Sequence, residues 1–409
     1  MTASKASQAL QKPSLLLIIL MAGLPQIGET IYSPALPSIS EALCVSHGLV
    51  ETTLTIYLIG FALGILFWGP LSDKWGRKPI MIIGFFFYCL GSLGCALAPS
   101  FWLLLLSRFV QAFGGSVGSV LSQTIARDAF EGRERSHVFA TVAIALSFSP
   151  VLGPVIGGIL TDFMNWRMIF LGLFLTGMML EFYIFRSLKE TKPQETHRAS
   201  LLKVLAKMIK DPLLISFGLM VGGLHGVIFI FIAEGPFYLI DFLGIRPSLY
   251  GVFLFIPALS LVLGSYITRR FISIFPEKKI LLGGIFICFL SSAFLLSFSF
   301  LDFITDENKF MSILYILAPF SGILLGVGIS VPICLSHALK HYAYAAGTAG
   351  ALYGGFYYSI IAGLTYIMSI VHNDMVYPMP CLFMVIFIIL LVLTKVIIYP
   401  TFTQEDPVK

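Results

Sequence analysis

Three ionisable residues stand where the surrounding sequence offers them no water. Glu29 follows an apolar run that begins near Leu15, Arg108 lies inside LLLLSRFVQAFGG, and Glu234 lies inside VIFIFIAEGPFYL. A charge in such a segment is expensive and marks a functional candidate. At 1.5 Å per residue, Glu29 and Arg108 each fall about four residues, roughly 6 Å, to the same side of the middle of their segments. An ion pair or a water-bridged contact between them is feasible. Desolvation favours the neutral form of a buried carboxylate, and a nearby arginine favours the charged one. A change in their separation would then change proton affinity. Glu29 is therefore expected to carry a proton, Arg108 to tune it and Glu234 to assist. A deprotonated Glu29 would also attract a cationic substrate. The competing reading is a static buried pair that holds helices together. Tyr32, Gln111, Tyr238, Tyr353 and Tyr357 are candidates to line a cavity, because amphipathic side chains suit mixed substrates. Glu51 is placed at the outer entrance of its segment, where water is available.

The elements that must position these groups follow from composition. The chain has 409 residues, 57% hydrophobic and 11% charged, against about 25% charged in soluble domains. Apolar stretches of about 20 residues recur along nearly the whole length, each long enough to span a bilayer as a helix. They predict an all-α polytopic membrane protein with twelve transmembrane helices. The first is expected to be an uncleaved span rather than a signal peptide. Of the 26 lysines and arginines, 22 fall in alternate connecting segments and tails, three in the other connections, and the last is Arg108. The positive-inside rule then puts both termini in the cytoplasm.

A polar segment, 188–212, separates a six-span bundle at 1–187 from a second at 213–409. Within it, SLLKVLAKMIKD puts Leu201, Leu202, Leu205, Met208 and Ile209 on one helical face, which suits the inner membrane surface. GPVIGG at Gly153 and GALYGG at Gly350 share a spacing 197 residues apart, and Glu29 and Glu234 lie 205 apart. Together these matches predict two related halves. The six cysteines show no CxxC or Cys/His ligand spacing, so neither a metal nor a disulfide framework is expected. There is no G-x-x-x-x-G-K-[ST] loop and no nucleic-acid signature. No cofactor is expected, and the partners are a small molecule, protons and the bilayer, with the chain acting as a monomer.

The connection between spans two and three reads GPLSDKWGRKP. Asp73 and Arg77 are four apart, which suits an ion pair on a helix; the alternative is an ordinary basic loop. This stretch resembles the signature loop of the major facilitator superfamily. SRFVQAFGG resembles the superfamily's span-four motif, with Ala112 where a glycine is usual. SPVLGPVIGG resembles the span-five motif of its twelve-helix drug/proton antiporters. YSPALPSIS and AGTAGALYGG look like the bicyclomycin-resistance subfamily, which usually carries an aspartate at the position of Thr30, one residue after Glu29.

The resemblance implies a cavity between two six-helix bundles that opens alternately to each side. It implies a cytoplasmic gate of Gly69, Asp73, Gly76, Arg77 and Lys78, with Asp128 as partner of Arg77 and the start of span eleven, near Ala345 to Gly347, receiving Asp73. It also implies a span-five seal of Pro150, Gly153, Pro154, Gly157 and Gly158. The expected function is proton-coupled export of small amphipathic or hydrophobic compounds across the inner membrane, without enzymatic activity. A proton-coupled importer and a non-transporting receptor or scaffold are the alternatives.

Overall fold

The computed structural model describes residues 12–192, 201–373 and 375–400, and among these the chain is helical throughout, with no strand. Eleven helices are long and apolar enough to cross a membrane. The remaining crossing, the fifth, consists of two consecutive helices, Gly132–Ser147 and Ser149–Phe163. Pro150 explains the break. It has no N–H to continue the first helix's ladder, and at the start of the second helix that missing donor costs nothing. Pro154 is carried within the second helix.

Span one departs from a single continuous helix just after the residue of interest. An α-helix runs Leu15–Thr30, a 3₁₀ turn covers Ser33–Ala35, and a short helix follows at Leu36–Leu43. Pro34 removes a donor at this point, so Glu29 lies in the last turn before the break. Span seven behaves similarly. Its α-helix, Pro212–Pro236, widens into a π-helix over Phe237–Phe242, which begins three residues beyond Glu234. Such widened turns cluster at functional sites.

One apolar core is built by the first half alone, around Leu17, Phe85, Val117 and Ile184. The buried members of another come from the second half, around Val221, Ile285, Phe320 and Phe387, together with Val204 and Met208 of the connecting segment. A third draws Ile31, Tyr32, Leu54 and Phe170 together with Phe229, Ile232, Phe237 and Ile361. This shared core lies toward the end opposite the Gly69–Pro79 connection. The two ends are called below the far end and the basic end.

The connecting segment carries a helix at Leu201–Met208, but its buried stripe differs from the expected face. Val204 and Met208 are buried against the second half, Leu201 and Leu205 are partly buried, and Leu202 and Ile209 are exposed. The helix packs on protein along a 3.6-residue stripe through Val204, so two of the five expected apolar residues point away.

Candidate functional site: intramembrane charges and two ends of the interface

Arg108 is fully buried, and its guanidinium lies between the rings of Tyr32 and Tyr57 at 4.0 and 4.1 Å. Such a desolvated cation–π contact is worth about 2 kcal/mol. Nη1 donates to the Gly28 carbonyl at 3.1 Å and to Gln111 Oε1 at 2.6 Å. Gln111 in turn donates to Ser92 at 2.8 Å, and Tyr57 donates to the Pro25 carbonyl at 2.8 Å. Arg108 is thus anchored to the backbone of span one at the residue before Glu29. Its Nε and Nη2 have no hydrogen-bond partner.

Glu29 is buried, and its Oε1 also has no hydrogen-bond partner. It sits within electrostatic reach of Arg108 without a direct ion pair, and close to Tyr57, Tyr357 and Tyr358. Thr30 points elsewhere: a Cβ on Gly153 of span five would strike its hydroxyl. The neighbouring positions therefore face different surroundings. Position 30 meets span five, and Glu29 turns toward spans two and eleven. Across from Glu29, Tyr357 contacts Tyr358 at 5.1 Å, Tyr353 at 5.7 Å and His225 at 6.2 Å. Of the five cavity candidates, Tyr32 and Gln111 are engaged by Arg108, and Tyr353 and Tyr357 belong to this aromatic group. Tyr238 lies apart, beside Glu234.

Glu234 does not join the Arg108 site. It is fully buried at the far end, where His372 Nδ1 lies 2.9 and 3.0 Å from its two oxygens. The same nitrogen lies 3.4 Å from Glu51 Oε1. Glu51 is not at a wet entrance, because its exposure is 0%. The second half covers it: Phe237 of span seven and His372 at the end of span eleven close over the start of span two, with His47 stacked on Phe237 at 4.5 Å. His372 lies just past span eleven. Burial alone would push its imidazole down, but Glu234 and Glu51 outweigh that and push it up to about 11.

The far end is also closed by backbone contact. A Cβ on Gly157 would strike the Ile31 carbonyl, and one on Gly158 would strike that of Pro247. Gly251 answers from the other half, 2.6 Å from Pro154 O and Val155 Cα at its would-be Cβ. Ser33 donates to the Ile232 carbonyl at 2.6 Å, and Ser248 N donates to Asp162 at 3.0 Å. The span-five glycines are thus packing residues that allow two helix pairs to touch. Their echo is open at Gly350, where nothing lies within 4 Å of a Cβ, and tight at Gly355, where a Cβ would lie 3.0 Å from the Leu66 side chain.

At the basic end, Arg77 is buried and draws the connection together. Its Nε donates to Asp128 at 3.0 Å, and Nη1 donates to Ser72 at 2.7 Å and to Asp73. Lys78 donates to the Phe185 carbonyl at 2.8 Å. Gly69 lies in ordinary contact with Val120. Gly76 has φ +105°, which L side chains rarely adopt. Glu190, absent from the sequence expectations, accepts from the backbone N–H groups of Arg77 and Lys78 at 2.8 and 3.2 Å. A carboxylate at a helix start satisfies open donors and suits the helix dipole. At the start of span eleven, the Arg127 guanidinium lies 3.3 Å from a would-be Cβ on Gly347. The side chains at 343, 344 and 346 lie outside the described residues.

The sequence pattern of the Major Facilitator Superfamily matches residues 18–366. The chain belongs to this superfamily. The transporter is 35% identical to a protein of Rickettsia felis named as an uncharacterized transporter, over 85% of this chain and 86% of that one. It is 29% identical to multidrug resistance protein D of Escherichia coli, over 83% and 84% of the two chains. It is 29% identical to a bicyclomycin resistance protein homolog of Haemophilus influenzae, over 71% and 75%. Among solved structures, a bacterial homolog of the human lysosomal transporter Spinster superimposes with TM-score 0.72 at 14% identity, covering 96% of each chain. The xylose transporter XylE of Escherichia coli gives 0.71 at 12%, covering 92% of this chain and 94% of that one. The transporter is thus a polytopic, non-enzymatic secondary carrier of small molecules with the major facilitator fold.

Proposed function

We propose that the transporter is a proton-coupled antiporter that exports small amphipathic or hydrophobic compounds by alternating access. The observation that carries the reading is Glu29, a buried carboxylate with an unbonded oxygen, one residue from the carbonyl that anchors Arg108. A rotation of span one against span four changes their separation and the water available to Glu29, and with them the proton occupancy. Glu29 is the proton carrier, Arg108 tunes it, and Glu234 assists from the second half. The aromatic group at Tyr353 and Tyr357, opposite Glu29, suits flat or cationic substrates. Names that refer to drug resistance among the relatives support export, as does the tight packing of the span-five motif.

On this reading the basic end faces the cytoplasm, as do both termini, and the chain works as a monomer in the inner membrane. Gly69, Asp73, Gly76, Arg77, Lys78 and Asp128 form the inner gate, and Pro150 to Gly158 form part of the outer seal. Proteoliposomes with an imposed pH gradient test the reading, with substrates screened for movement against the proton flow. Glu29→Gln should abolish gradient-driven transport while leaving substrate binding measurable. Gradient-driven export at the wild-type rate by Glu29→Gln would overturn the assignment. Uptake with the proton flow would favour the importer.

A further inference from the structure

We propose that Glu51, Glu234 and His372 form a proton-binding latch that holds the far ends of the two halves together, closed when it carries protons and released when it loses them. The idea rests on the alternating-access reading above and assigns a site outside the Glu29 region.

The three groups come from both halves. Glu51 lies in the second turn of span two, Glu234 near the end of span seven, and His372 caps span eleven. A His372 ring nitrogen and one oxygen from each carboxylate lie within 4.8 Å of one another, with Glu51 and Glu234 at 0% exposure and the His372 side chain at 4%. Neither oxygen of Glu51 has a hydrogen-bond partner. The groups that face the trio are His47, whose ring meets His372 edge-on at 5.7 Å, Asp241, 3.9 Å from His47, and Tyr238 beside Glu234.

Two ionised carboxylates and one imidazolium leave a net charge of minus one. Burying an uncompensated charge costs several kcal/mol. One further proton, held on a carboxylate oxygen, makes the closed trio neutral and gives Glu51 a hydrogen bond. The closed latch therefore holds two protons, one on His372 and one between the carboxylates. Opening the far end separates Glu51 from Glu234 and His372 and admits water. In water a carboxylate titrates at about 4.3 and an imidazole at about 6.5, so at neutral pH both protons leave. Each proton released makes opening about tenfold more favourable per pH unit. The protons enter and leave from the same side, so the latch sets when the far end closes and does not itself carry a proton across. In an exporter, proton binding from outside would close the gate after the substrate departs.

The test uses the full-length protein in nanodiscs, with spin labels on Cys44 and on Glu307→Cys, two exposed far-end positions in opposite halves, and Cys381→Ser to limit labelling. Far-end distances are measured from pH 5.5 to 8.5. The wild type should shift from a short to a long distance as pH rises, with the open-to-closed ratio changing by up to about 100-fold per unit for two protons. Glu51→Gln and Glu234→Gln should each reduce that slope to about tenfold per unit, because the remaining carboxylate and imidazolium are neutral with a single proton. Glu29→Gln should keep the wild-type slope. A pH-independent wild type would overturn the latch. So would a wild-type slope in Glu51→Gln and Glu234→Gln, or loss of the response on adding EDTA, which would assign the trio to a metal ion. Failure of the Glu29 transport assay with a pH-responsive far end would sink the export reading and leave the latch standing.

Discussion

Gly76→Ala is expected to be among the most damaging single-methyl changes at the basic end, and the structure gives the size. Gly76 adopts φ +105° and ψ 158°, a region essentially confined to glycine, where strain costs about 1–3 kcal/mol. The added Cβ would also lie 2.5 Å from Glu190 Oε2 and 3.0 Å from its Cδ. That carboxylate must move, and with it go its bonds to the Arg77 and Lys78 N–H groups. Loss of a capping side chain costs about 0.5–2 kcal/mol. The sum is about 1.5–5 kcal/mol, or roughly 3–10 °C in apparent Tm at about 2 °C per kcal/mol. Glu190→Ala alone should lower Tm by roughly 1–4 °C. The double variant should fall no further than Gly76→Ala, because the cap can be lost only once. Thermal unfolding of the purified protein in detergent reads all three values. A Gly76→Ala shift below about 1 °C, or full additivity in the double variant, would refute the reasoning.

Four further outcomes follow from the same geometry. Arg108→Lys keeps the charge but loses the planar stack between Tyr32 and Tyr57, so transport should fall at least about tenfold, measured as initial rate in proteoliposomes. Gly158→Val places side-chain atoms against the Pro247 carbonyl and should destabilise the far-end seal by about 1–3 kcal/mol, seen as lower Tm and a larger open population. Asp128→Asn removes one of the carboxylates that neutralise buried Arg77 and should raise protease cleavage of the 188–212 segment. For His372, whose imidazole is held up at about 11, the stability advantage of wild type over His372→Gln should be complete below about pH 6.5. It should decline as pH rises from there toward 11, because the folded protein alone keeps the proton in that window; Tm profiles from pH 6 to 10 check the sign.

Composition and periodicity were enough for a polytopic helical fold, since apolar segments of bilayer length leave the backbone no other way to satisfy its hydrogen bonds. The Asp73–Arg77 pair was also legible, because a four-residue spacing is a local feature, whereas the contact of Asp128 with Arg77, 51 residues away, was expected only from the family resemblance. The break after Thr30 was signalled only by Pro34, whose effect depends on what can cover the freed carbonyls. Glu190 was missed because a carboxylate in a loop announces no partner until a distant helix start is brought beside it. Glu51 and His372 were missed for the same reason. One was read as a wet entrance residue, and whether it is wet depends on how the second half closes over it.

The sequence alone determined that charges lie within the membrane, how many segments cross it, and which residues could pair along one helix. Only the tertiary structure decided which charges meet. It placed Arg108 against the backbone beside Glu29 rather than on its carboxylate, and Glu234 with His372 and Glu51 rather than with Arg108. The physical reason is that burial and charge pairing are properties of the packed interface. A one-residue step around a helix axis, about 100°, separates a side chain that faces span five from one that faces the opposite half.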